Sequence, residues 1–207
     1  MKKLIIIGAG GHSKSVVDSI DKTQIELCGF IDQFKTGDHY GRKILGNSIE
    51  SVENYQDYYY IVAIGDNKIR KNWYDKITKL NLKLINIVDK TAIISSTAKI
   101  GFGNFIGKYA IINADSVIGD NNIINTKALV EHECVVGNHV HLSTNSTING
   151  NVKVEDNVFF GSTAVCNGQI TLGYNSIIGS GSVIIKDVLK NTTVVGVPGR
   201  VVKVNNE

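Results

Sequence analysis

The chain has 207 residues, room for one large domain or two small ones, and its 43% hydrophobic and 20% charged content is that of an ordinary globular protein. A formal charge of +3 is too small to direct it to nucleic acid. The apolar run that opens MKKLIIIGAGG ends at Gly8, too short for a secretory leader or a membrane span, so a cytoplasmic protein is expected.

In chain order, KKLIIIGAGGHSKSVVDSI reads as a buried strand, a glycine turn and a helix with Val16, Val17 and Ile20 as its apolar stripe. ELCGFID is a second strand ending at Asp32, and YYYIVAIGDN a third ending at Gly65. Lys68 to Leu80 is a helix, and LKLINIV is one further strand. Strands alternating with helices imply a parallel sheet with right-handed crossovers, whose ligands lie beyond the carboxyl ends of the strands. Gly8, Gly10, Gly11, His12, Asp32 and Gly65 all fall there. A helix start offers free N–H groups to a phosphate, although the same glycines also serve a bare tight turn. Ser13 replaces the third glycine of G-x-G-x-x-G, and about 85 residues make only half of a two-part dinucleotide fold. A small Rossmann-like βαβ unit over residues 1–88, holding a mononucleotide, is expected in place of a hydride-transferring dehydrogenase.

From Ile94 to Ile184 an aliphatic or similarly apolar residue recurs every six positions without a slip, at sixteen places including Ile106, Val130, Leu142, Phe160 and Cys166. Four positions on, the residue is usually small or β-branched, as at Ala98, Ala110, Ser116, Cys134 and Ser146. A fixed short period of this kind marks a parallel β-helix, here over residues 89–207. The repeat resembles that of the hexapeptide acyltransferases, which implies a left-handed, three-sided prism. Residues 18 apart then stack in columns about 4.8 Å apart.

The columns sort the histidines of LVEHECVVGNHVHLSTNS. His139 shares its place with Asn121, Asn157 and Asn175, residues that tolerate positive φ, so it is a corner residue. His141 points outward in an apolar column of Phe105, Ile123, Phe159 and Ile177. Outward apolar columns need a cover, so subunits are expected to pack on these faces with His141 near their boundary. His132 stands in a column of Ser96, Ala114, Gly150, Gly168 and Lys186, with the smallest residues next to it. That leaves a slot beside one titratable group, and a contact with Glu133 at the adjoining corner would strengthen the base. Metal binding is the rival reading. H-E-C-V-V lacks the second histidine of H-E-x-x-H, because Val136 takes its place, so no metal is expected. Cys28, Cys134 and Cys166, an odd count without C-x-x-C, read as small buried residues.

GAGGHSK, FIDQFKTG, VAIGDNKIRK, VEHECVVGNHVHLS and VIIKDVLKNTTVVGVPGRVVK together resemble, over nearly the whole chain, bacterial sugar acetyltransferases. The group is that of the sialic acid O-acetyltransferases and the UDP-4-amino-sugar N-acetyltransferases of the UDP-N-acetylbacillosamine type. The resemblance implies acetyl-CoA as co-substrate, a nucleotide-linked amino sugar as acceptor, and a homotrimer with no metal, nucleic acid or membrane partner. It implies His132 as general base with Glu133 behind it, and His141, Ser162, Ser180 and Lys203 as acetyl-CoA contacts. Gly10, Gly11, His12, Asp32, Gln33 and Gly65 would hold the nucleotide-sugar; Gln33 stands where the family often has a second aspartate. Direct attack of the sugar's 4-amino group on the thioester needs no acyl-enzyme. The alternatives are O-acetylation of a sialic acid-like sugar and a non-catalytic nucleotide-sugar-binding β-helix. The N-terminal unit and FIDQFKTG favour the first reading, and an imidazole beside a glycine column argues against the last.

Overall fold

The computed structural model describes residues 1–204. The last three residues of the expected 89–207 unit lie outside the described residues. Six strands form the N-terminal sheet: β1 (Lys2–Ile7), β2 (Ile25–Ile31), β3 (Asp38–His39), β4 (Arg42–Gly46), β5 (Tyr59–Val62) and β6 (Lys83–Leu84), in the order β3-β4-β2-β1-β5-β6. All neighbours are parallel except the β3–β4 hairpin. The continuous apolar run from Leu4 to Ile7 is buried on both sides, as a central parallel strand requires. Helix α1 (Gly11–Asp18) follows β1, and α2 (Asn67–Lys79) follows β5. Asp66 caps α2 by accepting a hydrogen bond from the N–H of Ile69 at 2.8 Å. Gly8 lies at φ +100°, and a Cβ there would stand 2.7 Å from Ile64 Cγ1, so the turn after β1 admits only glycine.

LKLINIV does not form one strand. Lys83–Leu84 closes the N-terminal sheet, whereas Ile87–Val88 pairs with Phe105–Ile106 and is the first rung of a left-handed parallel β-helix. The coil has three faces. The first stacks Ile87–Val88, Phe105–Ile106, Ile123–Ile124, His141–Leu142, Phe159–Phe160 and Ile177–Ile178. It ends in Thr192–Val195 and the antiparallel Arg200–Val204. The second runs from Ile93–Ile94 to Val183–Ile184, and the third from Lys99–Ile100 to Thr171–Leu172. The six-residue series fills the prism interior. Corners fall at positive φ with the same period, from Gly103 through Tyr109, Asp115, Asn121, Lys127, Glu133 and His139 to Gly181. Inside the first coils Asn104 and Asn122 interrupt the run of small residues. Their side chains accept the N–H groups of Asn122 and Val140 one rung further on, at 2.7 Å each.

The first rungs of the first face are covered by the chain's own N-terminal unit, which takes there the place expected for a neighbouring subunit, whereas further along the column Phe159 is half-buried and Ile177 exposed. Phe105 and Ile123 share a core with Leu4, Ile6, Ile20 and Ile85. The second face keeps its outward column open: Ile93 is exposed, and Ile111, Leu129, Thr147, Val165 and Val183 are half-buried. At the corner between the third and first faces, α2 is bolted to the coil by Arg70. Its Nε donates to the Asn121 carbonyl at 2.9 Å, and Nη2 to the His139 carbonyl at 2.8 Å and to Asn67 Oδ1 at 2.9 Å. Nη1 donates to the carbonyls of Ile64 and Gly65 at 3.1 and 3.3 Å. Asn67 Nδ2 adds bonds to the Asn157 and Val158 carbonyls, and Tyr74 donates to Asp120 at 2.7 Å.

His12, half-buried, and His141, buried, meet at this junction with ring centroids 6.4 Å apart. Burial first, then the Arg70 charge, pulls the pKa of each from 6.5 to about 4. Unfolded, each imidazole protonates near pH 6.5; folded, it resists to about pH 4. The folded state binds fewer protons between these limits, so this stability is intact above pH 6.5 and is lost as the pH falls toward 4. The loss approaches about 3 kcal/mol per imidazole. The thermal midpoint is expected to fall between pH 6.5 and 4.5, and to fall less in His141→Gln, which cannot titrate there.

Candidate active site

Two half-sites lie on different parts of the molecule. The first is a cavity of about 310 Å³ at the carboxyl ends of β1, β2 and β5. Gly10, Gly11, His12, Asp32, Gln33 and Gly65 all line it, as the sequence predicts, together with Phe34, Lys35, Ile69 and Trp73. Gly10 and Gly11 open onto free space at the start of α1, where N–H groups point outward. Asp32 is tied into the loop. Its Oδ2 accepts from Ala9 N–H at 2.7 Å, and Oδ1 accepts from Phe34 and Lys35 N–H at 3.0 Å each. Partial burial pushes this carboxyl up, and the three N–H donors with Lys35 outweigh it, leaving the pKa below its ordinary value. Lys35 Nζ donates back to the Ala9 carbonyl at 2.7 Å. Ser13, in the third glycine's place, donates to the Gly10 carbonyl at 2.7 Å and bonds His39 Nε2 at 2.9 Å, fastening the β3–β4 hairpin to the glycine turn.

His12 forms the inner wall of this cavity. Its ring packs edge-on against Phe105 at 5.1 Å, and its Nε2 is buried without a hydrogen-bond partner among the described residues. A neutral imidazole carries one acceptor nitrogen and one N–H, and the buried Nε2 meets no protein partner among the described residues. His141 lies next to it. Its Nδ1 stands 3.2 Å from the Gly65 carbonyl, which only accepts, so Nδ1 carries the proton and Nε2 accepts from Asn125 Nδ2 at 3.3 Å. His141 is thus tied to two residues of the cavity wall, His12 and Gly65, and is itself buried.

The second half-site is at the corner between the second and third faces. His132 is exposed there, and its Nδ1 meets Glu133 Oε2 at 3.1 Å. Glu133 sits at the corner with φ +56°, which lets two adjacent side chains turn outward together. The carboxylate accepts from Nδ1–H, leaving the Nε2 lone pair free as a base. Both side chains are more than half exposed, so the pair is worth at most about 1 kcal/mol and acts by orienting the ring. One rung on, a Cβ at Gly150 would stand 2.6 Å from both Cε1 and Nε2 of that ring. A Cβ at Gly168 would meet the Gly150 carbonyl at 2.9 Å. With the imidazole in this place, the floor beneath it is made by glycine, and a side chain at 150 would have to displace the ring.

Ser162 and Ser180 stack at the corner between the first and second faces, where the Ser162 carbonyl accepts from Gly181 N–H at 2.9 Å. Lys203 is exposed on the terminal Arg200–Val204 strand, opposite Thr193. His139 is a corner residue at φ +60°, buried under Tyr74. Cys134 and Cys166 are buried, and Cys28 is half-buried. Among the described residues no cluster of three or more His, Cys, Asp or Glu side chains could hold a metal, and no helix is long and apolar enough to cross a membrane. The single chain does not bring its half-sites together. The cavity of the N-terminal unit abuts the first face, and His132 stands at the opposite corner, on the order of 15 Å across a prism whose sides are six residues long. Sequence reasoning missed Arg70 and Asn125 as partners of the cavity; Phe34 and Lys35 lie inside the FIDQFKTG segment that it singled out.

Residues 3–77 match the family described as PglD N-terminal domain, and residues 97–132 match the bacterial transferase hexapeptide (six repeats) family. The chain superposes on PerB from Caulobacter crescentus in complex with CoA and GDP-perosamine, at 30% identity over 98% of each chain with a TM-score of 0.90. It superposes equally well on the acetyltransferase domain of PglB from Neisseria gonorrhoeae FA1090 in complex with acetyl coenzyme A. There the identity is 31% over 97% of this chain and 99% of that one, with a TM-score of 0.91. UDP-N-acetylbacillosamine N-acetyltransferase from Bacillus subtilis (strain 168) is 33% identical over 109 residues, 50% of each protein. The matched stretches span half or less of the length of the curated relatives. With the fold, the paired half-sites and these full-length likenesses in agreement, the chain belongs to the hexapeptide-repeat family of sugar N-acetyltransferases.

Proposed function

We propose that the chain transfers acetyl from acetyl-CoA to the 4-amino group of a UDP-linked amino-deoxy sugar, in the cytoplasm, as a homotrimer. The observation that carries this reading is the His132–Glu133 pair standing over the Gly150 trough. Residues 1–88 take the nucleotide-sugar through Gly10, Gly11, His12, Asp32, Gln33 and Gly65, and residues 89–207 carry the transfer. Ser162, Ser180 and Lys203 accompany the coenzyme; His141, expected with them, is instead buried against the Gly65 carbonyl and is assigned to the acceptor end. The sugar ammonium gives a proton to His132 Nε2, and the freed amine attacks the thioester carbonyl. The C–N bond forms, the nitrogen's surplus proton leaves to solvent, the tetrahedral intermediate collapses with cleavage of the C–S bond, and the imidazolium returns its proton to the departing thiolate. The likeness to proteins named as amino-sugar acetyltransferases favours nitrogen over a sugar hydroxyl as acceptor. The UDP in the name of the Bacillus relative supports uridine, and the GDP-sugar bound to PerB is the competing nucleotide.

A trimer answers the separation of the half-sites. The open apolar column of the second face needs a cover, and a neighbouring copy placed there brings its own His132 corner toward a cavity it does not share. Release of coenzyme A thiol is expected with acetyl-CoA and a UDP-4-amino-sugar, and less with the GDP counterpart; release only with sialic acid would transfer the reading to O-acetylation. His132→Ala is expected to lose about 10²–10⁴-fold in kcat with both KM values nearly kept. Gly150→Val should cost a similar factor by filling the trough, while the affinity for free UDP stays unchanged. Co-expression of His132→Ala with Asp32→Ala chains should restore activity that neither variant has alone. Two inactive variants that stay inactive together would place the whole site within one chain.

A further inference from the structure

Arg70 is buried, and its hydrogen bonds all go to neutral oxygens: five backbone carbonyls and the Asn67 side chain. No carboxylate forms an ion pair with it among the described residues. A cation buried without a counter-charge is a poor stabiliser, and an apolar side chain of similar volume often serves a core as well. What the guanidinium has that a hydrophobic residue lacks is a rigid planar fork of five donors. That fork spans three pieces of backbone. Nη1 grips Ile64 and Gly65 at the rim of the nucleotide cavity, while Nε and Nη2 grip Asn121 on one rung and His139 and Val140 on the next. The Gly65 carbonyl is held from a second side by His141 Nδ1–H.

We propose that Arg70 is a positioning residue for the acyl transfer: its fork fixes the rim of the nucleotide cavity against two successive rungs of the coil and so sets where the acceptor amine lies. The coil in turn carries the corners at which neighbouring copies present coenzyme and base, so an error at the rim becomes an error in the attack distance. The inference rests on the acetyl-transfer reading and adds to it a residue that touches neither substrate.

Three variants test it. Arg70→Lys keeps a charge but replaces the fork with one ammonium. It should raise KM for the nucleotide-sugar about tenfold and lower kcat, with KM for acetyl-CoA and the trimer mass unchanged. Asn67→Ala, which removes an acceptor of the fork and two bonds to the coil, should move the same constants in the same direction by about threefold. Tyr74→Phe removes a junction hydrogen bond away from the rim and should leave KM for the nucleotide-sugar within about twofold. An unchanged KM in folded Arg70→Lys, or equal rises in Arg70→Lys and Tyr74→Phe, overturns the proposal; if Arg70→Lys does not fold, Asn67→Ala decides. The dissociation constants of UDP and GDP, measured on the same proteins, need no turnover. A wild-type chain that transfers nothing would therefore sink the acetyl-transfer reading while the binding comparison still decides the part played by Arg70.

Discussion

The structure depends on the left-handed corner. Each side of the prism is too short to bury anything alone, and the chain must turn every six residues at positive φ, a conformation unfavourable for most side chains. The cost is offset because each turn returns the backbone to hydrogen-bonding distance of the previous rung, with the series from Ile106 to Ile184 filling the axis. Once that stacking is fixed, every outward residue inherits two fixed neighbours, 18 positions away on either side. His132 can lie where it does because Gly150 next to it has no Cβ, which would stand 2.6 Å from the ring. Glu133 can reach back to its neighbour because the corner, unlike a strand, aims consecutive side chains to the same side.

A second constraint comes from the face that the N-terminal unit covers. Joining a Rossmann-like sheet to a β-helix buries polar backbone at the corners, and those carbonyls need donors. Arg70 and Asn67 supply them, and Tyr74 and Asn121 complete the junction. The buried charge has an effect on its surroundings: it helps to hold His12 and His141 neutral. A neutral His141 with Nδ1 protonated is the form in which both of its contacts, the Gly65 carbonyl and the Asn125 amide, are satisfied. The same arrangement leaves His12, in the wall of the cavity, with one buried nitrogen unpaired among the described residues. Junction and cavity are thus one electrostatic unit.

Much of this was legible from residues. The period of six gave the coil, the column rule gave the exposed position of His132 and the corner role of His139, and the glycine turn gave the cavity lining. These are local or periodic signals, and each rung repeats them. What was not legible depends on contacts between residues 46 to 91 apart, between segments that share no pattern. The outward column of Phe105, Ile123 and His141 announces that a cover is needed but carries no mark of what provides it, and the cover is the chain's own first domain. Arg70 reads in sequence as one more cation on an amphipathic helix, in a run with Lys68 and Lys71. LKLINIV has the composition of a single strand, yet the break at Ile85-Asn86 hands half of it to each domain. The β3–β4 hairpin within DHYGRKILG has too few apolar residues to declare itself. The small-residue rule failed at Asn104 and Asn122 because each amide is satisfied by backbone of the neighbouring rung, a partner that exists only after the coil forms.

The division of the site has an energetic consequence for the proposed reaction. A general base contributes about 10²–10⁴-fold, and the remainder of an acyl transfer must come from holding amine and thioester in line. Water is always present at an exposed imidazole, so a chain with base and thioester but no positioned amine would gain little beyond hydrolysis. Under the proposed reading, with the acceptor at the first face and the base on the far corner, a lone copy would not assemble that geometry. The geometry then depends on two rigid joints in series, the packing of copies against one another and the packing of each N-terminal unit on its own coil. Misplacement of about 1 Å at either joint can cost on the order of 10²-fold in rate. A junction built from a planar guanidinium and six neutral oxygens resists such displacement better than an apolar seam, which permits sliding, and that difference is what a buried cation without an ion-pair partner contributes here.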